Sequence, residues 1–206
     1  MRLNIGCGNF TFPTYPGDPM AREKEAYLPP SAFTAEDWVN VDKLDSERVD
    51  QVVDIFKYPW PWKDNSIDEI FCSHVAEHIP HDAIITLPGL DAKLDHSASL
   101  DGWYAFFYEV WRVLKPAGLI HIVCPYAFHV GAMADPSHRR YLVPASFGYF
   151  QPDADASFDY QIPYRFESTL ECGTQCRISD HEWFDKLLAY GVNTLSEIFI
   201  IMRAVK

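Results

Sequence analysis

Long hydrophobic runs are missing from this 206-residue sequence. The longer apolar stretches, such as 198–202 within "EIFIIM", fall far short of the roughly 20 residues that a membrane-spanning helix needs. The opening "MRLNIGCG" has no charged region followed by a long apolar region, so it does not resemble a signal peptide. We therefore expect a cytoplasmic protein with no membrane partner.

Basic residues are scarce. Lys plus Arg total 17 against 29 Asp plus Glu, which gives a net charge of −12. Affinity for nucleic acid comes largely from cations that neutralise phosphates, so this balance disfavours a nucleic-acid partner. Arg139 and Arg140 form a local basic spot, which we expect to be ordinary solvated surface.

Cysteine is present at only five positions, an odd number without a secretion signal, which favours free thiols over disulfides. Cys7, Cys72 and Cys124 each end an apolar run, where a small buried side chain is the simplest explanation. Cys172 and Cys176 form C-x-x-x-C without a second pair, so a metal site there is disfavoured.

The sequence does contain a series of short apolar segments that end in Gly, Asp or Ser. Helical spacing of large apolar residues from Trp103 to Leu114 predicts a helix that "KPAG" ends. A second helix is predicted from Ser179, which forms a capping box with Glu182, to a stop at Gly191. Strands are predicted at 2–5, 38–42, 49–55, 67–73, 119–125 and 195–205.

The alternation of these elements predicts an α/β fold, a Rossmann-like doubly wound sheet in a single domain over residues 1–206. Two stretches interrupt the alternation, at 10–37 and 126–164, and both are rich in aromatic residues. Ligands of such sheets bind beyond the carboxyl ends of the strands. We therefore expect these two stretches to be lid or substrate-side loops.

Small and acidic residues follow the first three strands. Gly6 and Gly8 after the first strand allow a tight turn and a close approach to a ligand. Asp42 ends the second strand, where a carboxylate can accept hydrogen bonds from ribose hydroxyls, and Asp54 ends the third, where it could receive an adenine amino group. Asp42 could equally be a helix cap or part of a surface turn, and Asp54 could equally be a cap at the end of its strand.

The stretch "HVAEH" permits two incompatible interpretations. His74, Glu77 and His78 have the H-x-x-E-H spacing of an inverted zinc-peptidase helix. However, His74 directly follows a predicted strand, so a regular helix would start only after it and the two histidines would not share a face. We therefore favour a strand-end turn with no bound metal, and zinc hydrolysis remains the less favoured alternative.

Four stretches in order resemble class I S-adenosylmethionine-dependent methyltransferases, in particular the methyltransferase-11-like group. They are "LNIGCGN", "WVNVD", "VDQVVDIFKYPWPWKDNSIDEIFCSHVAEHI" and "FFYEVWRVLKPAGLIHIVCPY". Where members of the group often have a third glycine and a full helix, this sequence has Asn9, Phe10 and a proline-rich stretch.

The resemblance implies a seven-stranded sheet, mostly parallel with an antiparallel last strand, and S-adenosylmethionine as the cofactor. It places the amino-acid part of the cofactor by the glycine turn and the ribose on Asp42. The adenine would lie by Asp54 and Ile55, and the sulfonium by Ser73 and His74. The implied cofactor-binding residues are Gly6, Cys7, Gly8, Asn9, Asp42, Lys43, Asp54, Ile55, Ser73 and His74.

The expected reaction is methyl transfer to an oxygen or nitrogen of a small-molecule or glycan-like acceptor. The candidate general bases are His78, His74 and His138, because histidine titrates near neutral pH; a structural role in the turn is the alternative for each. Two further groups of aromatic residues could line the functional site or could fill the hydrophobic core. Trp60 and Trp62 could cover the adenine, and Tyr126, Phe128, Tyr149 and Phe150 could line the acceptor pocket. A degenerate fold that binds a partner without catalysis is the other alternative.

Overall fold

The computed structural model describes residues 1–13, 28–82, 101–152, 164–171 and 196–206. The strands are β1 (Arg2–Ile5), β2 (Trp38–Asp42), β3 (Gln51–Val52), β4 (Ile67–Ser73), β5 (Leu114–Pro125), β6 (Arg165–Glu171) and β7 (Glu197–Val205). The helices are α1 (Ser31–Thr34), α2 (Gly102–Val113) and α3 (Val130–Ala134), with 3-10 turns at Ala76–His78 and Pro144–Phe150.

All seven strands belong to one sheet, in the order β3-β2-β1-β4-β5-β7-β6. Strand β1 lies between β2 and β4 and is parallel to both, with Leu3 opposite Val39 on one side and Ile70 on the other. Strand β7 is antiparallel to both β5 and β6. The predicted Rossmann-like sheet, mostly parallel with an antiparallel last strand, is therefore confirmed.

The strand order reverses at β1, because the chain runs outward from β1 to β2 and β3 and later returns to β4 on the opposite side. The carboxyl ends of β1, β2 and β4 consequently meet at one edge of the sheet. That edge is where open parallel sheets leave a crevice for a ligand.

Helix α2 covers one face of the sheet. It begins at Asp101, whose Oδ1 accepts a hydrogen bond from the Trp103 N–H at 2.7 Å, a typical N-cap. Its apolar stripe includes Phe106, Phe107 and Val110, all 0% exposed. The predicted helix is therefore present.

The prediction that this helix includes Leu114 and that the next strand starts at 119 is wrong at the junction. Leu114 is already extended, with ψ 142°, and pairs with Ile67 as the first residue of β5. A register shift between Ile67 and Glu69 then accommodates "KPAG", where Ala117 has φ 62°. Burial of Leu114 in the sheet outweighs its place in the helical pattern.

A buried ion pair fixes the loop before β4 to helix α2. Glu109 is 1% exposed, and its Oε2 lies 2.7 Å from Arg112 NH2 and accepts the Trp60 N–H at 2.6 Å. Trp60 and Trp62 are both buried, with ring centroids 5.7 Å apart. Both rings belong to the main core cluster and neither lines the cavity described below, as the core-filling alternative predicts.

On the other face, the chain after Gly8 lies flat on the sheet. Two buried asparagines of the strands hold it there. Asn4 Nδ2 donates to the Phe10 carbonyl at 2.7 Å, and Asn40 exchanges two 2.7 Å hydrogen bonds with the main chain of Phe12. Phe10 and Phe12 are buried in a second cluster with Trp38, Phe71, Val123 and Phe199.

Other sequence predictions differ from the structure in extent. The third strand is Gln51–Val52 rather than 49–55. Before it, the Asn40 N–H donates to the Asp50 side-chain carboxylate at 2.7 Å, in place of the main-chain carbonyl that a continued strand would offer. Strand β6 was not recognised in the sequence.

Cys7, Cys72 and Cys124 are buried free thiols as expected. The predicted helix at 179–191 and the pair Cys172 and Cys176 lie outside the described residues. Among the described residues, no helix combines the length and apolar character that crossing a membrane requires.

Candidate functional site

A cavity of about 500 Å³ opens at the carboxyl ends of β1, β2 and β4. Its walls come from the turns that follow these strands, from the segment after β3 and from residues 137–139. The lining residues are Gly6, Asp42, Lys43, Leu44, Val53, Asp54, Ile55, Phe56, His74, Val75, His78, Pro80, Ser137 and Arg139.

The turn after β1 depends on two glycines in the left-handed region, Gly6 with φ +64° and Gly8 with φ +52°. A Cβ on Gly6 would lie 2.3 Å from Val75 Cγ2, whereas a Cβ on Gly8 would meet nothing within 4 Å. Gly6 thus allows the turns after β1 and β4 to touch. Gly8 leaves open space beside the turn.

Asp42 links the end of β2 to this glycine turn. Its Oδ2 accepts the Gly8 N–H and its Oδ1 accepts the Leu44 N–H, both at 3.0 Å. A carboxylate offers about four lone-pair positions, so two remain for a ligand. Asp42 therefore holds the turns that follow β1 and β2 and also lines the cavity.

The segment after β3 forms the side wall. Asp54 Oδ1 accepts the Phe56 N–H at 3.1 Å, and Lys57 lies 3.6 Å from Asp54 Oδ2. Ile55 is 7% exposed, and its carbonyl accepts the Trp60 indole N–H at 2.9 Å. This side of the cavity thus combines an apolar contact with an acid.

Six of the ten implied cofactor residues line the cavity, namely Gly6, Asp42, Lys43, Asp54, Ile55 and His74. The other four, Cys7, Gly8, Asn9 and Ser73, are in the adjoining turns but not in the lining. Burial raises the pKa of the Cys7 thiol to about 11, with the Asp42 charge adding to the effect. Cys7 is therefore a neutral packing residue.

His74 stands at the end of β4 between two carboxylates. Its Nε2 lies 2.8 Å from Glu197 Oε1 and its Nδ1 lies 3.4 Å from Glu77 Oε1. The close carboxylate of Glu197, and after it that of Glu77, raises the His74 pKa to about 9. An imidazolium at neutral pH has no lone pair to accept a proton, so this position disfavours His74 as the general base.

The H-x-x-E-H spacing does not form a helix. His74 has φ 56°, and only the three residues Ala76–His78 form a 3-10 turn. His74 and His78 therefore do not share a helical face, and the geometry of a zinc-peptidase helix is absent from this described segment.

A different trio of residues does come together. Glu77, His78 and His138 each have a potential ligand atom within 4.8 Å of those of the other two. The rings of His78 and His138 are edge to face at 4.8 Å. Main-chain hydrogen bonds join the segment that follows His138 to the turn after β4. The N–H groups of Arg139 and Arg140 both donate to the Glu77 carbonyl, at 2.7 and 3.0 Å.

Residues 137–140 contribute more to the site than the sequence indicated. Ser137 and Arg139 line the cavity. Arg140 is not free surface, because its Nε donates to the Ile79 carbonyl at 2.9 Å and its NH2 donates to the Pro80 carbonyl at 2.6 Å. A pair of arginines directly after a histidine was the available signal, and their charge alone did not reveal the main-chain partners.

The aromatic residues proposed for the acceptor pocket do not line this cavity. Phe150 is 0% exposed and packs on Phe107 with centroids 4.4 Å apart, so a pocket role for Phe150 is wrong. Tyr126 and Phe128 pack edge to face on each other at 5.5 Å. Tyr149 is exposed.

Comparisons with known proteins identify the fold. No family model matches the sequence, and no curated protein is significantly similar to it. A SAM-dependent methyltransferase from Archaeoglobus fulgidus superposes with a TM-score of 0.51 at 16% identity, over 98% of this chain and 85% of that chain.

A second structure is the complex between the Haloferax volcanii Trm112 methyltransferase activator and a protein assigned as a methyltransferase. A chain of that complex has a TM-score of 0.53 at 13% identity, over 100% of this chain and 82% of its own. Identities this low establish a shared fold and leave the function to be argued from the site. The chain thus has the sheet architecture found in class I SAM-dependent methyltransferases.

Proposed function

We propose that this protein is an S-adenosylmethionine-dependent methyltransferase that acts on an oxygen or nitrogen of a small-molecule or glycan-like acceptor. One observation carries the proposal. The Asp42 carboxylate at the end of β2 accepts the Gly8 N–H of the turn after β1 at 3.0 Å, on the wall of a cavity at the point where the strand order reverses. An acid and a glycine turn in that relation suit a ribose next to a polar ligand end.

In this proposal the cofactor extends along the carboxyl edge of the sheet. Asp42 would accept hydrogen bonds from its ribose hydroxyls, Asp54 and Ile55 would hold its adenine, and the glycine turn would hold its amino-acid end. The sulfonium is near Ser73 and His74.

The acceptor side is the wall formed by His78, Ser137 and Arg139. His78 Nδ1 lies 3.3 Å from the Ser137 carbonyl, which suits the tautomer with its proton on Nδ1 and a lone pair on Nε2. His78 is therefore our choice of proton acceptor. The His138 side chain is 8% exposed, and its ring packs edge to face on the ring of His78. In this proposal it therefore positions His78.

The reaction needs little from the protein beyond placement. Bound S-adenosylmethionine would supply an activated methyl group, which the acceptor lone pair would take while the sulfur retained the carbon–sulfur electron pair as a neutral thioether. The acceptor proton moves to His78. Alignment of two bound reactants can contribute about 7–11 kcal/mol, and proton removal adds about 10²–10⁴-fold.

Product analysis tests the proposal. The purified protein is incubated with S-adenosylmethionine and a panel of hydroxyl- and amine-bearing acceptors, and mass spectrometry follows S-adenosylhomocysteine and the methylated product. We expect acceptor-dependent product, and less of it from Asp42→Ala at a low concentration of S-adenosylmethionine. Cofactor binding without turnover on a broad panel would favour a non-catalytic binding module, and absence of binding would refute the proposal.

A further inference from the structure

We propose that Glu77, His78 and His138 form a binding site for one divalent transition-metal ion, with zinc as its natural probe. Two imidazoles and a carboxylate are a ligand set that zinc and its neighbours in the first row accept. The sequence analysis favoured a metal-free turn because the H-x-x-E-H spacing pairs His78 with His74 as the possible histidine ligands. The structure replaces His74 with His138, which is 60 residues from His78 in the chain.

The strongest support is a buried carboxylate without hydrogen-bond donors. Glu77 is 1% exposed, and within the described part of the chain neither of its oxygens has a hydrogen-bond partner. Its nearest cation is His74, whose Nδ1 is 3.4 Å from Oε1 without hydrogen-bond geometry. Burial of a carboxylate is costly unless it is paired or bound to a metal. The ion pair with His74 leaves both oxygens without a hydrogen-bond donor, and a metal ion held by Oε1 or Oε2 would supply the bonded partner that is missing.

The two histidines are held as metal ligands usually are. His138 Nδ1 lies 2.9 Å from the Ala132 carbonyl, and His78 Nδ1 lies 3.3 Å from the Ser137 carbonyl. Each ring then donates its Nδ1 proton to the main chain, which leaves the Nε2 lone pair for a ligand. Metal-bound histidines typically donate their other ring N–H to a carbonyl or carboxylate in this way.

The distances between the three side chains are compatible with a shared ion after small side-chain movements. His138 Nε2 is 3.9 Å from Glu77 Oε1, and the trio's ligand atoms lie within 4.8 Å of one another. Ligand bonds of about 2.0–2.1 Å bring neighbouring tetrahedral ligand atoms to roughly 3.4 Å apart. Small rotations of the three side chains, by about an ångström at their tips, achieve this.

Three protein ligands leave a fourth position open. His78 lines the cavity, so this position would face the proposed acceptor side. There an ion would lower the pKa of a bound hydroxyl. In the metal-bound protein the Nε2 lone pair of His78 would be engaged, so the hydroxyl proton would pass to solvent; in the metal-free protein His78 would remain the proton acceptor. That consequence depends on the proposed methyl transfer, whereas ion binding itself does not.

Metal titration of chelator-treated protein tests the inference. Zinc binding is measured by calorimetry, and cobalt is used as a spectroscopic probe of imidazole ligation. The variants are His138→Ala and Glu77→Gln. The matched control is His81→Ala, because His81 is a 66% exposed histidine close in sequence but outside the trio. Circular dichroism checks that each variant is folded.

We expect one zinc per chain for the wild type and for His81→Ala. In the two trio variants binding should weaken by more than about 100-fold, since even the outer partners of metal ligands contribute about 10–100-fold. If Glu77→Gln does not fold, His138→Ala alone decides. Absence of stoichiometric zinc in the wild type, or equal affinity in His138→Ala, would overturn the inference. Titration of the same samples with S-adenosylmethionine separates this failure from failure of the proposed function.

Discussion

The glycine turn after β1 gives the sharpest test of the geometry, because its two glycines are predicted to fail in different ways. In Gly6→Ala the new methyl carbon would lie 2.3 Å from Val75 Cγ2, whereas carbon atoms in contact are about 3.5–4.0 Å apart. Val75 is 6% exposed and packed in the core, so it has little room to move.

The expected loss of stability for Gly6→Ala has two parts. A left-handed backbone costs a residue with a Cβ about 1–2 kcal/mol, and overpacking in a filled core adds about 1–3 kcal/mol. The free energy of unfolding should therefore fall by about 2–5 kcal/mol. For Gly8→Ala the free energy of unfolding should fall only by the backbone contribution, about 1–2 kcal/mol, because the new Cβ meets nothing within 4 Å.

Urea unfolding followed by fluorescence measures both variants, and calorimetry with S-adenosylmethionine measures their binding. Gly8→Ala should stay folded and bind the cofactor more weakly, since its methyl occupies space beside the proposed amino-acid end. Adding Val75→Ala to Gly6→Ala should restore part of the lost stability in a double-mutant cycle. Equal destabilisation by Gly6→Ala and Gly8→Ala, with no coupling to Val75, would refute the argument.

Three further outcomes are expected. Glu109→Ala leaves Arg112 and the Trp60 N–H without their buried partner, so urea unfolding should show a loss of about 3–5 kcal/mol. Burial opposes ionisation of Glu69, but hydrogen bonds from His121, Ser31 and Arg2 outweigh it and lower the Glu69 pKa. The free energy of unfolding should therefore be higher for the wild type than for Glu69→Gln at pH 6, and this difference should shrink as the pH falls through the lowered pKa. For a confirmed hydroxyl acceptor, His78→Ala should slow turnover by about 10²–10⁴-fold with cofactor affinity nearly unchanged, measured by product release and calorimetry.

Local patterns predicted much of the sheet. The strands at Arg2–Ile5, Trp38–Asp42 and Ile67–Ser73 were predicted with the bounds that the structure has, because each is a short apolar run closed by a polar or small residue. The same reasoning located Asp42 and Asp54 on the cavity wall, since parallel strands end at one edge.

What the sequence did not reveal depends on contacts between distant segments. The meeting of His138 with Glu77 follows from main-chain hydrogen bonds between residues 139–140 and the turn after β4, and no local pattern encodes such pairing. The burial of Trp60 follows from an acid on α2, Glu109, that accepts its N–H. Aromatic residues carry the same letters whether they fill a core or line a pocket.

Titration of S-adenosylmethionine into the wild type, Asp42→Ala and Asp42→Asn tests the central claim most directly. The wild type should bind one equivalent. A hydrogen bond to a charged group contributes about 1.5–3 kcal/mol, so Asp42→Ala should weaken binding by about 10- to 100-fold. Asp42→Asn should lose less, because its amide oxygen still accepts one hydrogen bond. No binding to folded wild-type protein, or unchanged affinity in folded Asp42→Ala, would contradict the placement of the cofactor at this edge of the sheet.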